Sequence, residues 1–240
     1  MPGVTDPSAS VYSLPLVLAF IYEFWVLRVS NSFAWHCPTS SVLLPFFQAH
    51  LTKQPASAHL DAGVGTGFYP ARGLASTTDV PGSLTLLDLN PDTLESASRA
   101  VKSRGYTGEI QKKAQSVFDP VPAEMRAKFA SISLFYLLHC LPGAFPEKAT
   151  RVAEALAPAL APGPSSVLYG ATILGKGVRH NWLGNWLMNA YNKRSIFGNA
   201  RDSADGLREG LQVVFRDVDV QVVGRVALFV CRKPRAEYTA

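Results

Sequence analysis

Three glycines at alternate positions, Gly63, Gly65 and Gly67, follow a short apolar segment that ends in Asp61. Glycine reaches backbone conformations closed to other residues and carries no Cβ, so such a turn lets the main chain come close to a ligand. The amide groups of the turn would point at a polar group of that ligand. The spacing therefore predicts a binding turn, with a nucleotide-like molecule as the first candidate.

A second carboxylate follows at a distance along the chain that suits the same site. The apolar run Leu86-Leu87-Asp88-Leu89-Asn90 places Asp88 27 residues after Asp61. An acidic side chain at the tip of the second strand is where doubly wound folds hold ribose hydroxyls. Two other nucleotide motifs are excluded. The dinucleotide fingerprint needs glycine or alanine where Phe68 stands, and no Gly-Lys-Ser or Gly-Lys-Thr ends a P-loop.

Two histidines stand where a general base would act. His139 follows the apolar run 131–138, and His180 follows the run 166–174; doubly wound sheets bind their ligands outside such strand ends. For His139 the alternative is a structural role, with the ring bonded to a nearby loop. No histidine is grouped with other ligands at metal spacing, His36 beside Cys37 included, so we predict no metal site.

The elements that must position these residues alternate between strand and helix. Apolar runs predict strands at 59–62, 84–89, 108–113, 131–138 and 166–174, and a hairpin of strands 217–223 and 226–232 around Gly224. Helices are predicted at 42–50, 90–104, 147–160, 181–193 and 202–215, with only a turn or two after Gly67. Such alternation is typical of an α/β fold with a parallel sheet, here ending in an antiparallel pair.

The starts of two helices can be predicted from their capping residues. Asn90-Pro91-Asp92 supplies an N-cap side chain, a proline at the first helical position and an acid in the first turn. Thr39 or Ser40 is expected to cap the helix at 42–50. These caps predict the residues at which the two helices begin.

Residues 1–50 are predicted to form a loose tail and a helical lid, and residues 51–240 the ligand-binding core. The segment 12–35 is dense in aromatic residues, some at helical spacing. Such a stripe packs either into a core or over the top of the sheet. As a lid it would bring Tyr22, Trp25 and Trp35 to the pocket.

Composition limits the classes of protein that need to be considered. The chain has 240 residues, 48% of them hydrophobic and 17% charged, which suits one globular domain rather than a disordered chain. The net charge of +5 comes from scattered basic residues, so we predict no nucleic-acid partner. The apolar run 14–22 is too short to span a bilayer, and three widely separated cysteines indicate a reduced, cytoplasmic location.

The sequence D-x-G-x-G-T-G resembles motif I of class I S-adenosylmethionine-dependent methyltransferases, in particular the ubiquinone- and menaquinone-biosynthesis type also used in natural-product tailoring. Further stretches that carry the resemblance are Asp88, residues 135–142 and residues 159–163. The resemblance covers the chain from about Tyr12 and implies a Rossmann-like, mostly parallel sheet of seven strands with a terminal antiparallel hairpin. The predicted hairpin agrees with it independently of motif I.

The resemblance also implies a cofactor, S-adenosyl-L-methionine, with S-adenosyl-L-homocysteine as the product. In that family the glycine loop cradles the methionine part of the cofactor, and the counterpart of Asp61 binds it through its carboxylate. The acid matching Asp88, with Leu89 beside it, takes both ribose hydroxyls. The loop residues carried over are Gly63, Gly65, Thr66 and Gly67.

Two positions depart from the family pattern. The end of the third strand usually supplies an acid or amide for the adenine amino group, and Gln115 or Ser116 occupies that place. The tip of the fourth strand usually carries a polar residue, where this chain has Phe135. Contact between Phe135 and the cofactor is therefore expected through the backbone.

The acceptor is predicted to be a small molecule, aromatic or polyketide-like. Methyl transfer is an in-line displacement that alignment of the acceptor accelerates, and a base helps where the acceptor is a hydroxyl or an acidic carbon. His139 and His180 are the candidate bases. Polar residues interleaved with Trp182 and Trp186 suit such an acceptor, and the predicted contacts are Asn181, Asn185 and Tyr191; the alternative is a helix that packs its tryptophans on the core.

Three alternatives remain beside methyl transfer. A cyclase or pericyclase of secondary metabolism would share the fold and bind the cofactor without transferring the methyl group. An interaction protein would keep the fold and lose the cofactor. A nicotinamide oxidoreductase is disfavoured by Phe68. The sequence leaves open whether O-, N- or C-methylation occurs, and it is compatible with a homodimer.

Overall fold

The computed structural model describes residues 30–75, 80–179 and 181–239. Tyr22, Trp25 and His180 lie outside these ranges, so their predicted roles stay predictions. The described residues contain a sheet of seven strands in the order β3-β2-β1-β4-β5-β7-β6. β1 to β5 pair in parallel, and β7 pairs antiparallel with both β5 and β6. The predicted parallel sheet with a terminal antiparallel hairpin is confirmed.

The strands are β1 (Ala58–Ala62), β2 (Ser83–Asp88), β3 (Glu109–Ala114), β4 (Phe129–Phe135), β5 (Val167–Ile173), β6 (Phe215–Val223) and β7 (Val226–Pro234). The helices are α1 (Leu44–His50), α2 (Phe68–Ala75), α3 (Pro91–Ser103), α4 (Glu147–Leu156), α5 (Trp182–Lys193) and α6 (Ala204–Val214). Every strand and helix that the sequence predicts for the described residues is present, with shifted ends.

The two predicted helix caps have different outcomes. The Asn90 side chain accepts a hydrogen bond from the backbone N–H of Asp92 at 2.9 Å, so α3 begins as predicted. The predicted cap at Thr39 or Ser40 is wrong. A single π-helical turn, Thr39–Leu43, precedes α1, and its N-cap residue Pro38 makes no side-chain cap. Thr39 is instead buried, and its hydroxyl accepts a hydrogen bond from Asn31.

The predicted strand 131–138 ends earlier in the structure. β4 stops at Phe135 because Tyr136 takes a left-handed backbone conformation, with φ of +59°. A 3-10 turn, Leu138–Cys140, follows. The apolar run therefore leaves the sheet three residues before its last apolar residue and turns across the sheet's edge.

Hydrophobic clusters cover both faces of the sheet, and one of them includes Ala34, Trp35, Cys37, Leu43 and Phe47. Trp35 is 1% exposed, and its carbonyl accepts a hydrogen bond from the backbone N–H of Arg225 at 2.8 Å. The Arg225 guanidinium donates to the Ala34 carbonyl at the same distance. This part of the segment before β1 is therefore fastened to the β6–β7 turn.

Candidate active site

A cleft opens at the carboxyl edge of the sheet, where β1, β2, β3 and β4 end side by side. Parallel strands bring their carboxyl ends to one edge, which is where doubly wound folds bind ligands. Segments from all four strand ends line the cleft: Gly63, Gly65, Leu87 to Asn90, Gln115 to Phe118, Tyr136, Leu137 and Cys140 to Pro142. Of the predicted cofactor residues, Gly63, Gly65, Asp88, Leu89, Gln115 and Ser116 meet here.

The three loop glycines all have positive φ, but they do different things. The backbone N–H of Gly63 donates to the Leu87 carbonyl at 2.8 Å, which ties the loop to β2. A Cβ on Gly65 would meet open space, so this residue leaves room in the cleft. A Cβ on Gly67 would lie 2.7 Å from the backbone of Ala97, so Gly67 permits the loop to pack on α3. Neither Gly67 nor Thr66 is among the residues that line the cleft.

Asp88 is held by the backbone on both sides of its carboxylate. The N–H of Gly65 donates to Oδ2 at 3.3 Å, and the N–H of Asn90 donates to Oδ1 at 3.0 Å. Burial raises the pKa of Asp88, against the lowering effect of these backbone hydrogen bonds. Leu89, 51% exposed, adds an apolar surface to the same wall.

Asp61 is the fourth residue of β1 and is 3% exposed; it is not among the residues that line the cleft. The Ser133 hydroxyl on β4 donates a hydrogen bond to its Oδ1. Burial raises the pKa of Asp61 to about 7; the Ser133 hydrogen bond lowers it, and the nearby charge of Asp88 raises it. Two carboxylates thus stand near each other at the ends of β1 and β2, an arrangement suited to a cationic ligand.

Gln115 and Ser116 follow β3 and form the third wall. The backbone N–H of Gln115 donates to the Asp88 carbonyl at 3.0 Å, which fixes this segment against the end of β2. The Gln115 side chain donates to the carbonyls of Asp119 and Pro120, both at 3.1 Å. The Ser116 hydroxyl accepts from the N–H of Phe118 at 3.2 Å. Both polar side chains are therefore oriented by their own loop.

The fourth wall is made by residues after β4, and Phe135 itself is not among the residues that line the cleft. The Phe135 ring is buried among aromatic residues, 4.5 Å from the Tyr69 ring centroid and 5.3 Å from that of Phe47. Tyr136 and Leu137 line the cleft in its place. Within the described part of the chain, the buried Tyr136 hydroxyl has no hydrogen-bond partner.

The sequence did not identify Tyr136, Leu137, Cys140, Leu141 or Pro142 as cleft residues. An apolar run of this kind is typical of a buried strand, and nothing in it marks where the backbone leaves the sheet. The left-handed conformation of a tyrosine has no signature comparable to that of glycine. The available signal was their place in the stretch 135–142, which carries the family resemblance.

His139 does not occupy the position of a general base. It is 3% exposed and is not among the residues that line the cleft. Its Nδ1 accepts a hydrogen bond from the N–H of Ile173 at 3.4 Å, and the Phe197 ring packs edge-on at 4.5 Å. Burial lowers the pKa of His139 to about 3, with a smaller contribution from Lys148. The geometry supports the structural alternative.

The predicted substrate residues are not brought together by the described structure. Trp35 is enclosed in the core, which does not support contact with a substrate. Asn181 caps α5 through the N–H of Gly184 at 2.7 Å and donates to the Phe33 carbonyl at 2.6 Å. Asn185 lies on an exposed face of α5, and the Tyr191 ring packs 4.8 Å from that of Phe197.

The described residues contain no cluster of His, Cys, Asp and Glu side chains suited to a metal ion. Among the same residues, none of the helices is long and apolar enough to cross a membrane.

Comparison with known proteins gives relatives along nearly the whole chain. Methyltransferase ctvB of Aspergillus terreus is 38% identical over 229 residues, 95% of either chain. The physcion biosynthesis cluster O-methyltransferase of Aspergillus chevalieri is 37% identical over 231 residues, 96% of this chain and 97% of the relative. No family model matches.

A solved structure with the same fold is the O-methyltransferase NcsB1 from neocarzinostatin biosynthesis, in complex with S-adenosylmethionine and 2-hydroxy-5-methyl naphthoic acid. The TM-score is 0.56 and the sequence identity 19%, over 90% of this chain and 58% of NcsB1. This chain therefore spans less than two thirds of that protein.

The sheet order, the terminal hairpin and the glycine loop beside two acids are those of the class I methyltransferase fold. Identity above 30% across nearly the full length of the fungal relatives then places the chain within a family. It belongs to the methyltransferases represented by ctvB and the physcion-cluster O-methyltransferase, and it is an enzyme of that family.

Proposed function

We propose that this enzyme binds S-adenosyl-L-methionine in the cleft and transfers its methyl group to a hydroxyl of an aromatic, polyketide-type small molecule. The observation that carries the proposal is the hydrogen bond from the Gly65 amide to the Asp88 carboxylate inside the cleft. It joins an open glycine turn to an acid at the tip of the second strand, the pairing that nucleotide-like ligands need.

The residues present fit such a cofactor. A carboxylate has about four lone-pair positions, so Asp88 keeps capacity for a ribose hydroxyl beside its backbone hydrogen bonds. A Cβ on Gly65 would occupy open space in the cleft. Its absence leaves room for the cofactor to lie against the loop. Leu89 offers an apolar face to the adenine, and Gln115 and Ser116 offer polar atoms at its edge.

The methionine part of the cofactor carries an ammonium and a carboxylate. We assign the ammonium to Asp61, which precedes Gly63 by two residues and does not itself line the cleft. The N–H groups of Gly63, Gly65 and Gly67 donate to the Leu87 carbonyl, the Asp88 carboxylate and the Val64 carbonyl, so these three amides are not donors for the ligand's carboxylate. S-adenosyl-L-methionine supplies a methyl group on a cationic sulfur, already activated for displacement.

The chain's own contribution to the reaction is to align the acceptor and exclude water. Alignment of two reactants in a near-attack geometry can account for most of a displacement rate. The wall formed by Leu137, Leu141 and Pro142 is apolar and suits an aromatic ring. The buried Tyr136 hydroxyl, which has no hydrogen-bond partner among the described residues, adds a polar group beside it.

The choice of a hydroxyl acceptor is supported by the name of the physcion-cluster relative and by that of NcsB1. An acceptor hydroxyl loses its proton during transfer, and His139 is too deeply buried and too weakly basic to take it. His180 is retained as the candidate base. It follows β5, whose end lies on the same edge of the sheet.

We also infer a reduced, cytoplasmic setting. All three cysteines are thiols, and burial raises the pKa of the Cys37 thiol to about 12. We also propose a homodimer. Light scattering on the purified protein measures the oligomeric state.

Calorimetric titration with S-adenosyl-L-methionine, run beside NADH, tests the cofactor. We expect binding of the former alone. Incubation with a panel of phenolic and polyketide acceptors then tests the reaction, and a gain of one methyl group on oxygen by mass spectrometry is the expected result. Binding with a rearranged product of unchanged mass would indicate a cyclase instead, and absence of binding would overturn the proposal.

A further inference from the structure

Buried side chains between β1 and β4 form a continuous chain of hydrogen bonds that ends at Asp61. The N–H of Thr52 donates to the Ser131 hydroxyl at 3.1 Å. That hydroxyl lies 2.7 Å from Nδ1 of His59, and Nε2 of His59 lies 3.1 Å from the Ser133 hydroxyl. Ser133 then donates to Oδ1 of Asp61.

The direction of this chain follows from its two ends. Ser133 gives its proton to Asp61, so its oxygen accepts from Nε2–H of His59. Burial lowers the pKa of His59 to about 3, so the ring is neutral and carries one proton. Nδ1 is therefore an acceptor, and it receives the hydroxyl proton of Ser131. The oxygen of Ser131 in turn accepts from Thr52, so each of these donors is used once.

The free-energy cost of burying these polar side chains suggests that they have a functional role. His59, Ser131 and Ser133 are each 0% exposed, and burying polar groups is costly unless all of them are hydrogen-bonded. Apolar residues would pack between the strands without that cost. The polar chain leads from the backbone of the segment before β1 to one carboxylate, at the base of the glycine loop.

We propose that His59 is a positioning residue, which acts through Ser133 to hold the Asp61 carboxylate in the orientation and ionised form that receives the ammonium group of S-adenosyl-L-methionine. This inference rests on the proposed function, because it assigns the ammonium to Asp61. His59 itself touches neither the cofactor nor the acceptor.

The electrostatic surroundings of Asp61 explain why a positioning group is needed. Burial raises its pKa to about 7, and the charge of Asp88 adds to the rise. The Ser133 hydrogen bond is the contribution that favours the carboxylate. The titratable groups that face Asp61 are His59 on its own strand, Asp88 after β2, Tyr69 on α2 and Tyr169 on β5. None of these is a cation, so the ionised form depends on Ser133.

The first test is the affinity for S-adenosyl-L-methionine as a function of pH. In the wild type, affinity is expected to fall as the pH drops and Asp61 takes up a proton. Ser133→Ala is expected to weaken binding about tenfold at neutral pH and to raise the midpoint of the pH profile by about one unit, the effect of losing one hydrogen bond to a charged group. Ser133→Thr keeps a hydroxyl and restores both values.

A double-mutant cycle tests whether His59 acts through Ser133. His59→Leu alone is expected to shift the pH midpoint in the same direction as Ser133→Ala. Combined with Ser133→Ala, it is expected to add nothing, because the bond through which it acts is already absent. Additive effects, or an unchanged pH midpoint in the single variants, would overturn the inference.

A measurement on the ligand-free wild type covers the case in which a variant does not fold. Nitrogen-15 spectra of the His59 ring at about pH 8.5, where Asp61 is ionised, are expected to show a neutral ring protonated at Nε2. A proton at Nδ1 would mean that Ser133 does not donate to Asp61, and the proposal would fail. Wild-type protein that binds no S-adenosyl-L-methionine would overturn the proposed function instead, whatever the ring shows.

Discussion

The backbone amide of Gly65 donates a hydrogen bond to Oδ2 of Asp88 at 3.3 Å, across the gap between the ends of β1 and β2. The glycine loop and the acid are therefore one unit, and a ligand that contacts either meets both. The second oxygen of Asp88 is held by the N–H of Asn90 at 3.0 Å. These two hydrogen bonds fix the orientation of the Asp88 carboxylate in the cleft before a ligand binds.

Replacing Asp88 with alanine is expected to weaken the binding of S-adenosyl-L-methionine by about 10- to 100-fold, the loss of hydrogen bonds to a charged acceptor. Calorimetric titration measures it. Asp205→Ala on the exposed start of α6 is the matched control and should bind as the wild type does. Equal affinity in the Asp88→Ala protein would show that the ribose lies elsewhere.

The second prediction concerns alanine substitutions at two loop glycines. One is expected to impair cofactor binding and the other to lower thermal stability. Gly65→Ala puts a methyl group into open space, so the protein should fold, with a cost of about 1–2 kcal/mol for the left-handed backbone, and bind the cofactor poorly. Gly67→Ala drives a methyl group against the backbone of Ala97 at 2.7 Å and should chiefly lower the melting temperature. Thermal unfolding and titration on both variants separate the effects; a reversed pattern would contradict the assignment of Gly65 to the cleft.

His139 offers a test of the general-base hypothesis. Since the ring is buried outside the cleft, His139→Gln is expected to keep kcat within about threefold of the wild type once the folded fraction is accounted for. Its stability should fall, because the Ile173 amide loses its partner. His180→Gln is the comparison, and the larger loss of kcat is expected there. A hundredfold loss in the His139 variant alone would restore His139 as the base.

Lys148 and Asp202 form an ion pair at 2.6 Å with neither side chain exposed. The ammonium also donates to the carbonyls of Gly198 at 3.1 Å and of Leu141, a cleft residue, at 3.3 Å. Lys148→Met leaves the Asp202 charge buried without its cation, and the free energy of unfolding should fall by about 3–5 kcal/mol.

The double variant Lys148→Met with Asp202→Asn is the control for that loss. Asparagine keeps an oxygen for the Phe145 amide, which donates to Oδ1 at 3.1 Å, and carries no charge. Denaturant titration should find the double variant more stable than Lys148→Met. If it is less stable, the loss comes from packing rather than from the unpaired charge.

Asp61 makes the stability of the ligand-free protein depend on pH. Its pKa is about 7 in the folded state against the usual 3.8, so between these values the folded state holds more protons than the unfolded state. This group therefore lowers the free energy of unfolding as the pH rises from about 4 to about 7. His59 and His139 act in the opposite direction, because burial lowers both pKa values to about 3.

The difference between the wild type and Asp61→Asn isolates the contribution of Asp61, since the histidines are common to both. Relative to this variant, the wild type should lose stability between about pH 5 and about pH 8. Denaturant midpoints at the two pH values measure the change. A constant difference would mean that Asp61 is not buried as a carboxyl group of raised pKa.

The sheet and the position of the cleft could be predicted from the sequence because local signals agree there. Apolar runs of strand length alternate with capped helices, and the glycine turn and Asp88 stand at successive strand ends. Asn90 illustrates the agreement: the same short segment predicts the end of β2, the start of α3 and one wall of the cleft.

What could not be predicted depends on contacts between distant segments. The burial of Trp35 results from residues near the β6–β7 turn, far along the chain. The end of β4 is set by the backbone of Tyr136, whose N–H donates to the Ala171 carbonyl on β5 at 2.8 Å. His139 follows an apolar run like a ligand-binding residue, and only packing against Phe197 shows that its ring faces inward.

The position of β7 between β5 and β6 has a consequence for how the protein is made. The ribosome completes β6 before β7, which is the strand that β6 pairs with in the sheet of the described residues. Until β7 is made, β6 therefore lacks the strand with which it pairs, and β5 lacks its antiparallel neighbour. The tight turn at Gly224 lets the two late strands pair with each other as soon as both have emerged. We therefore expect the two late strands to join the sheet together, as a hairpin whose β7 pairs with β5.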